Sequence, residues 1–469
     1  MPAVPKPSYE ALAALVVELR EALEAANARI ADLEAALKQN SKNSSKPPSS
    51  DSPFVKPVSL RKKGQRRPGR PGGQPGATLE QVADPRHMVE YEPELCHSCG
   101  SGLVGAVEVG RERRQVFDLP ELALEVTEHQ LIARRCGCGQ VCTAVAPVGV
   151  AAPVQYGARV AAVVVGLWHG QFLARERVAA VMGEVFGAPM APGTVASMAT
   201  RCAANLVGFE DAVRERLLEA EVVHFDETGF RVEAALRWVH SASTGRYSLL
   251  MVHPRRGTLA MDAMGVLPAF AGIAQHDAWA PYDTYDCDHA LCGAHVLREL
   301  VAVTEAGTEG VAGSIAMAEQ AVDALLGLKD LADPAHAAGL APDPARVAAL
   351  RHVLRSAALS GIEATAGRAT ALMRKHHALF TRLRDRFEDY LRFVEDPRVA
   401  FDNNAAEREI RMCKLRIKVS GSMRSMRGAQ EFCRIRSYLQ TTKKHGVGWL
   451  TALTDAMRGI PWMPDEATA

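Results

Sequence analysis

The first pattern along the chain repeats every seven residues. Leu12, Leu19, Ala26 and Leu33 recur at heptad spacing, interleaved with Val16, Leu23, Ile30 and Leu37, so apolar positions alternate at steps of four and three. That is an a/d seam, and it predicts a coiled coil over residues 8–39 that pairs two copies of the chain. An amphipathic helix laid on its own domain is the alternative, and the Pro- and Ser-rich stretch that follows disfavours it. Periodicity then stops. Residues 40–85 include Lys46-Pro47-Pro48-Ser49-Ser50 and Arg66-Arg67-Pro68-Gly69-Arg70-Pro71-Gly72-Gly73. With so few apolar positions this segment cannot bury a core, so it reads as an extended linker. Over 86–150, alternation at Glu125–Glu128 and Leu131–Ala133 predicts short strands in a small module. Apolar positions return at helical spacing over 151–215. There Leu173–Val178 leads to a break at Gly187-Ala188-Pro189, and Pro192-Gly193-Thr194-Val195 opens a second helix with Thr194 as its N-cap. A helix-turn-helix and plain helical packing both fit that break.

From residue 216 the period changes to two. Val222–Phe225, Arg237–Ser241 and Tyr247–Val252 read as strands, Thr258–Met264 as a helix and Gly272–His276 as a further strand. Three strands, a helix and a strand are the opening of an RNase H-like sheet. Residues 301–396 are helical throughout and look inserted, and a helix-rich segment over 397–469 closes the chain. The predicted fold class is therefore multidomain α+β: a coiled coil, a zinc-ribbon-like module carrying the cysteine pairs Cys96/Cys99 and Cys136/Cys138, a helical region, and an RNase H-like α/β core (216–300 and 397–469) with an all-helical insertion.

Composition changes this picture in two places. The net charge is only +1, yet Asn40–Gly76 holds nine Lys/Arg against one acid, and Phe401–His445 eleven against four. Two basic segments in a neutral chain point to a polyanionic partner, with two solvated faces as the plainer account. Arg66, Arg67 and Arg70, on a flat Pro/Gly backbone, suit a DNA groove, although a solubilising linker has the same composition. Ten cysteines without a secretory leader suggest a reducing, cytoplasmic setting, and the longest apolar run, Ala158–Trp168, is too short to span a bilayer. Cys96-His97-Ser98-Cys99 and Cys136-Gly137-Cys138 offer four thiolates for tetrahedral Zn²⁺, although the second half is CxC rather than CxxC. Free thiols, or a site using Cys142 or His97, are the alternatives.

The chemistry rests on three acids. Metal-dependent cutting or transfer of a phosphodiester needs carboxylates that converge from separate elements. Asp226 is read as ending the first core strand, Asp277 as ending the strand at 272–276, and Glu407 as opening the helix after Asp402-Asn403-Asn404. Each has an ordinary alternative: a turn cap for Asp226, competition from Asp283, Asp286 or Asp288 for Asp277, and a capping box for Glu407. Cys292-Gly293-Ala294-His295 follows the second acid: His295 could reach the scissile phosphate or a metal-bound water, or both Cys292 and His295 could be packing or supporting residues. Arg408 and Arg411 are placed to contact phosphate or to face solvent.

These motifs occur in one order: Gln39–Asp51, the basic glycine-rich stretch to Gly76, the cysteine knuckle, Asp226-Glu227-Thr228-Gly229, and Asn403-Asn404-Ala405-Ala406-Glu407-Arg408. In that order the chain resembles the transposases of the insertion sequence 66 family over nearly its whole length. The resemblance implies a DDE-type transposase of the bacterial, nucleoid-associated cytoplasm. Asp226, Asp277 and Glu407 would be its catalytic acids, holding Mg²⁺ or Mn²⁺. It further implies terminal inverted repeats and target DNA as partners, with accessory element-encoded proteins as further candidates. A non-catalytic zinc-containing DNA-binding relative and an RNase H-like nuclease are the competing classes.

Overall fold

A computed structural model describes residues 8–38, 79–305, 312–368 and 370–464. The heptad segment forms one helix, α1 (Tyr9–Lys38), whose first turn is capped by the Ser8 hydroxyl accepting from Ala11 N at 3.2 Å. The seam residues Leu12, Val16, Leu19, Leu23, Ile30, Leu33 and Leu37 are all exposed. The cysteine-bearing module contains one short hairpin, β1 (Ala133–Arg135) with β2 (Val141–Thr143). The strand expected at Glu125–Glu128 is absent: that segment is exposed and no backbone ladder forms beside it.

Four helices follow, α2 (Ala158–Val165), α3 (Arg175–Phe186), α4 (Pro192–Asn205) and α5 (Val207–Leu218). The break at Gly187 is as read, with φ +60° ending α3 in the left-handed conformation that glycine adopts without strain. Thr194 is not the cap of α4. Ala191 is, with Pro192 fixing the first helical φ, so Thr194 falls inside the first turn.

The core sheet has the order β5-β4-β3-β6-β7, built from β3 (Val222–Val232), β4 (Ala235–Ser243), β5 (Ser248–His253), β6 (Ile273–His276) and β7 (Asp288–Leu291). The first three are antiparallel, while β6 and β7 are parallel to β3 and to each other. Helix α6 (Thr258–Met264) connects β5 to the parallel half. Beyond β7 come α7 (Gly293–Thr304), α8 (Ala312–Ala337), α9 (Pro344–Ala364), α10 (Ala371–Asp385) and α11 (Phe387–Glu395). The chain then returns to the sheet as α12 (Asn404–Ser420), α13 (Met426–Lys444) and α14 (Trp449–Met457).

β3 is longer than its sequence suggested. Pairing with β4 continues through Val232↔Ala235, so Asp226 lies in mid-strand rather than at its end. The two-residue turn uses Glu233 at φ +52° and Ala234 at φ +61°, positions that hairpins usually give to Asn and Gly. Side chains alternate along β3. Val223 and Phe225 enter a core with α2–α6, α13 and α14, whereas Phe230 and Val232 enter another with Cys413 of α12 and Phe432 of α13. Asp226 therefore shares the α12 face, and Glu227 the other. A third core joins β6, β7 and α7 to the helices that follow, through Leu300, Leu325, Phe380, Leu391 and Phe401.

Candidate active site

Parity and register assemble the acids. Parallel pairing of His224 with Gln275 sets Asp226, two residues on, level with Asp277 just past β6. Helix α12 brings Glu407 in its first turn to the same face. Anchoring of this corner is dense. His224 Nδ1–H donates to Asn403 Oδ1 at 2.9 Å, and Asn403 Nδ2 donates to Phe225 O at 2.7 Å. Gln275 Nε2 donates to Ala400 O at 2.5 Å, and Gly293 N to Phe401 O at 2.8 Å.

The three acids feel one another. Burial, followed by the negative charges of Glu227, Asp277 and Glu407, pushes the Asp226 carboxyl well above the usual carboxylate range. Carboxylate oxygens are the donors that a hard divalent cation takes. Glu407 is turned toward α7, where Arg298 Nη2 donates to it at 3.2 Å and His295 Nε2 lies 3.9 Å away. Among the described residues no group of three His, Cys, Asp or Glu side chains is drawn together tightly enough to hold a metal ion. The capping-box account of Glu407 does not hold, because Asn404 N is satisfied by Asp402 Oδ1 at 3.1 Å.

The other acids are engaged elsewhere. Asp283 pairs with Arg386, and Asp288 with Arg392 at 3.3 Å. Glu409, one turn from Glu407 in neither direction, pairs with Lys444 at 2.9 Å. In Cys292-Gly293-Ala294-His295 the roles divide. The buried Cys292 Sγ accepts from Asn403 N at 3.2 Å, and burial pushes its thiol up to about 12. His295 faces Glu407, and burial, then Arg298, lowers its pKa.

Sequence reasoning missed Glu227 and its cage. On the opposite face of β3 from Asp226, the Glu227 carboxylate accepts from Arg256 Nη2 at 2.6 Å and from Tyr282 Oη at 2.7 Å. The Arg256 guanidinium lies 3.9 Å from the Trp279 ring centroid and 4.9 Å from that of Trp238. Asp-Glu-Thr-Gly was the only signal in the chain, and it did not reveal the partners.

Arg408 and Arg411 project from the exposed side of α12, while Arg66, Arg67 and Arg70 lie outside the described residues. In the cysteine module, Gly100 N donates to Cys96 O at 2.9 Å and Gly139 N to Cys136 O at 2.8 Å, which forms two tight knuckles. Hydrogen bonding with Ser101, and then with Cys96, lowers the Cys99 thiol to about 7, and bonding with Cys138 lowers Cys136. The structure brings Cys96 to Cys99 and Cys136 to Cys138, without closing the two pairs into one cluster. Paired thiols of this kind fit Zn²⁺ by donor chemistry. Cys142 stands exposed on β2. No helix among the described residues is long and apolar enough to cross a membrane.

Comparison with known families agrees with this order of parts. Residues 1–80 match a family of unknown function, and residues 93–139, with Cys96, Cys99, Cys136 and Cys138, match the zinc-finger binding domain of transposase IS66. No curated protein matches the chain. Residues 153–431, more than half of the sequence and inclusive of Asp226, Asp277 and Glu407, match the transposase IS66 family, and the chain belongs to that family.

Proposed function

We propose that this chain is a DDE-type DNA transposase, a polynucleotidyl transferase that cuts the ends of its insertion sequence and joins them to target DNA. The observation that carries this reading is the convergence of Asp226, Asp277 and Glu407, from β3, the end of β6 and α12, on one face of the sheet. Three antiparallel strands followed by two parallel ones, with the last acid on a returning helix, support an RNase H-like core. Helices α8–α11 then form the insertion between the second and third acids.

Asp226, Asp277 and Glu407 would hold Mg²⁺ or Mn²⁺. When bound, these ions supply Lewis-acid activation of water, and later of a DNA 3′-hydroxyl, with charge neutralisation at the leaving 3′ oxygen. The chain's own residues set the stage. Asn403 ties the start of α12 to β3 through His224 and Phe225, and Arg298 holds the Glu407 carboxylate until cations compete for it. Cys96, Cys99, Cys136 and Cys138 would hold a structural Zn²⁺. Arg66, Arg67 and Arg70 in the linker, with Arg408 and Arg411 on α12, would contact DNA phosphates, which makes binding fall steeply with salt. The exposed leucine seam of α1 would pair two chains and so hold two element ends in one assembly.

The test is substitution without change of shape. Asp226→Asn, Asp277→Asn and Glu407→Gln should each lose Mg²⁺- or Mn²⁺-dependent cleavage and strand transfer by orders of magnitude while still binding element-end DNA. Cutting without joining in the unsubstituted protein would identify a nuclease. Near-native strand transfer by Glu407→Gln would remove that residue from the triad.

A further inference from the structure

A second charged site lies away from the acids. Between α3, α4 and the corner where α12 meets α13 is a pocket of about 570 Å³, lined by Arg175, Arg201, Arg416, Arg424 and Arg427 against only two acids, Glu176 and Glu431. Glu431 is already engaged, by Arg427 at 3.0 Å and by the Thr200 hydroxyl at 2.9 Å. Arg175, Arg201, Arg416 and Arg424 have no carboxylate partner among the described residues. In a chain of net charge +1 this concentration of unpaired cations is local and pronounced.

Arg416 is the informative member. It is 6 % exposed, it donates to Gly421 O at 3.1 Å through Nη1, and its buried Nε has no partner. Behind it Arg436, 8 % exposed, likewise has an unpartnered Nε and lies 5.3 Å from the Phe172 ring centroid. Desolvating a guanidinium without an anion is costly, and the planar fork of arginine matches a phosphate's oxygens. Two further features face the same space. The N-terminus of α13 opens on the pocket at Ser425 and Gly428, with Gly428 N donating to Ser425 Oγ at 3.1 Å, so the positive dipole end of the helix faces the same space. Trp168, in the π-helical turn Gly166–Gly170, lines the wall with the Arg175 guanidinium 5.9 Å from its ring.

We propose that this pocket is a phosphate-binding site that takes a backbone phosphate of a DNA strand, separate from the acidic triad. Its volume accommodates one nucleotide unit. Arg416 lies nine helical steps beyond Glu407 on α12, about 13.5 Å at the helical rise, so one rigid helix spans from the acids to the anchor. That the phosphate belongs to DNA rests on the transposase reading; that the pocket takes phosphate does not.

The experiment uses the full-length zinc-loaded protein and two probes, inorganic phosphate and a labelled DNA duplex of arbitrary sequence. Phosphate should raise the melting temperature of the unsubstituted protein more than an equal ionic strength of chloride does, and Arg416→Gln should abolish that difference. Arg201→Glu with Arg424→Glu, both exposed, should leave the unliganded melting temperature unchanged. The pair should weaken duplex binding about tenfold and flatten its salt dependence by about two ions released. Arg424→Lys should retain most of the affinity. Wild-type duplex affinity and salt slope in the folded double variant would overturn the DNA assignment, and absence of a phosphate-specific shift would overturn the site itself. Either failure is separable from failure of the transposase reading, which is scored by metal-dependent cleavage in the triad variants.

Discussion

Gly293→Ala adds one methyl group, and the structure says where it goes. A Cβ on Gly293 would sit 2.5, 2.6 and 2.9 Å from Cε2, Cζ and Cδ2 of the Phe401 ring. Carbon atoms pack at roughly 3.5–4.0 Å, so the ring must retreat by about 1 Å. It has little room: Phe393 packs edge-to-face at 5.0 Å, the Lys329 ammonium lies 5.2 Å from the ring centroid, and Phe401 O already accepts from Gly293 N. Overpacking of this kind costs about 1–3 kcal/mol. The better helix propensity of alanine returns at most roughly 1 kcal/mol, less at the first position of α7. A net loss of about 1–2 kcal/mol corresponds to a fall in melting temperature of roughly 2–8 °C. Because Phe401 leads directly into Asp402, Asn403 and α12, the same displacement should reach Glu407, and a misplacement of about 1 Å costs on the order of a hundredfold in rate. Thermal unfolding and metal-dependent DNA cleavage read the two effects. Gly208→Ala, inside α5 where the added methyl meets nothing within 4 Å, is the control that should leave cleavage unchanged and should not lower the melting temperature. Wild-type melting and wild-type cleavage in Gly293→Ala would refute the argument that this contact fixes the third acid.

Three further outcomes are expected. The folded Asp226 carboxyl titrates well above its unfolded value, so its ionisation weakens the fold: the penalty is absent below the unfolded pKa of about 3.9, grows as pH rises past it and is complete above the folded pKa. Asp226→Asn should therefore raise the melting temperature near pH 8 in chelator, with the gain shrinking toward pH 4 and narrowing when Mg²⁺ is added; a gain equal at both pH values would contradict this. Leu19→Lys with Ile30→Lys should shift sedimentation of the full chain toward monomer, because the exposed seam of α1 buries leucine only against a partner; unchanged association would remove that role. Protein prepared without chelators should carry about one zinc per chain, and Cys96→Ser should lower that content, with metal analysis as the measure.

The sequence exposed what periodicity and local chemistry control. The strands at 222, 237, 247 and 272, the helix Thr258–Met264 and the long helix α1 all carry their patterns in consecutive residues, and they formed as expected. The sequence pattern ends the strand at Asp226, because Glu233-Ala234 lacks the Asn or Gly that marks a tight hairpin and so hides the extension of β3 to Val232. The Thr194 hydroxyl suits a cap, yet Pro192 sets the helix start. The cage around Glu227 draws Trp238, Arg256, Trp279 and Tyr282 from three segments, and the arginine pocket joins residues 175 and 427. Neither has a local signature, since both arise only when distant elements pack.

The strained hairpin at Glu233 and Ala234 also dictates an order of assembly. Its tip is held by the segment between α12 and α13, where Met423 N donates to Arg231 O at 3.0 Å and Glu233 N to Met423 O at 2.9 Å. On the same sheet, Ser437 and Thr441 of α13 accept from Leu250 N and Ser248 N. These clasps close loops of about 190 residues, the kind of non-local contact that forms slowly. A growing chain therefore carries β3–β5 with an unclasped tip and bare amides until nearly its whole length has been made. Truncation upstream of Met423 leaves an open sheet edge rather than a smaller folded core, so premature termination yields a fragment disposed to aggregate.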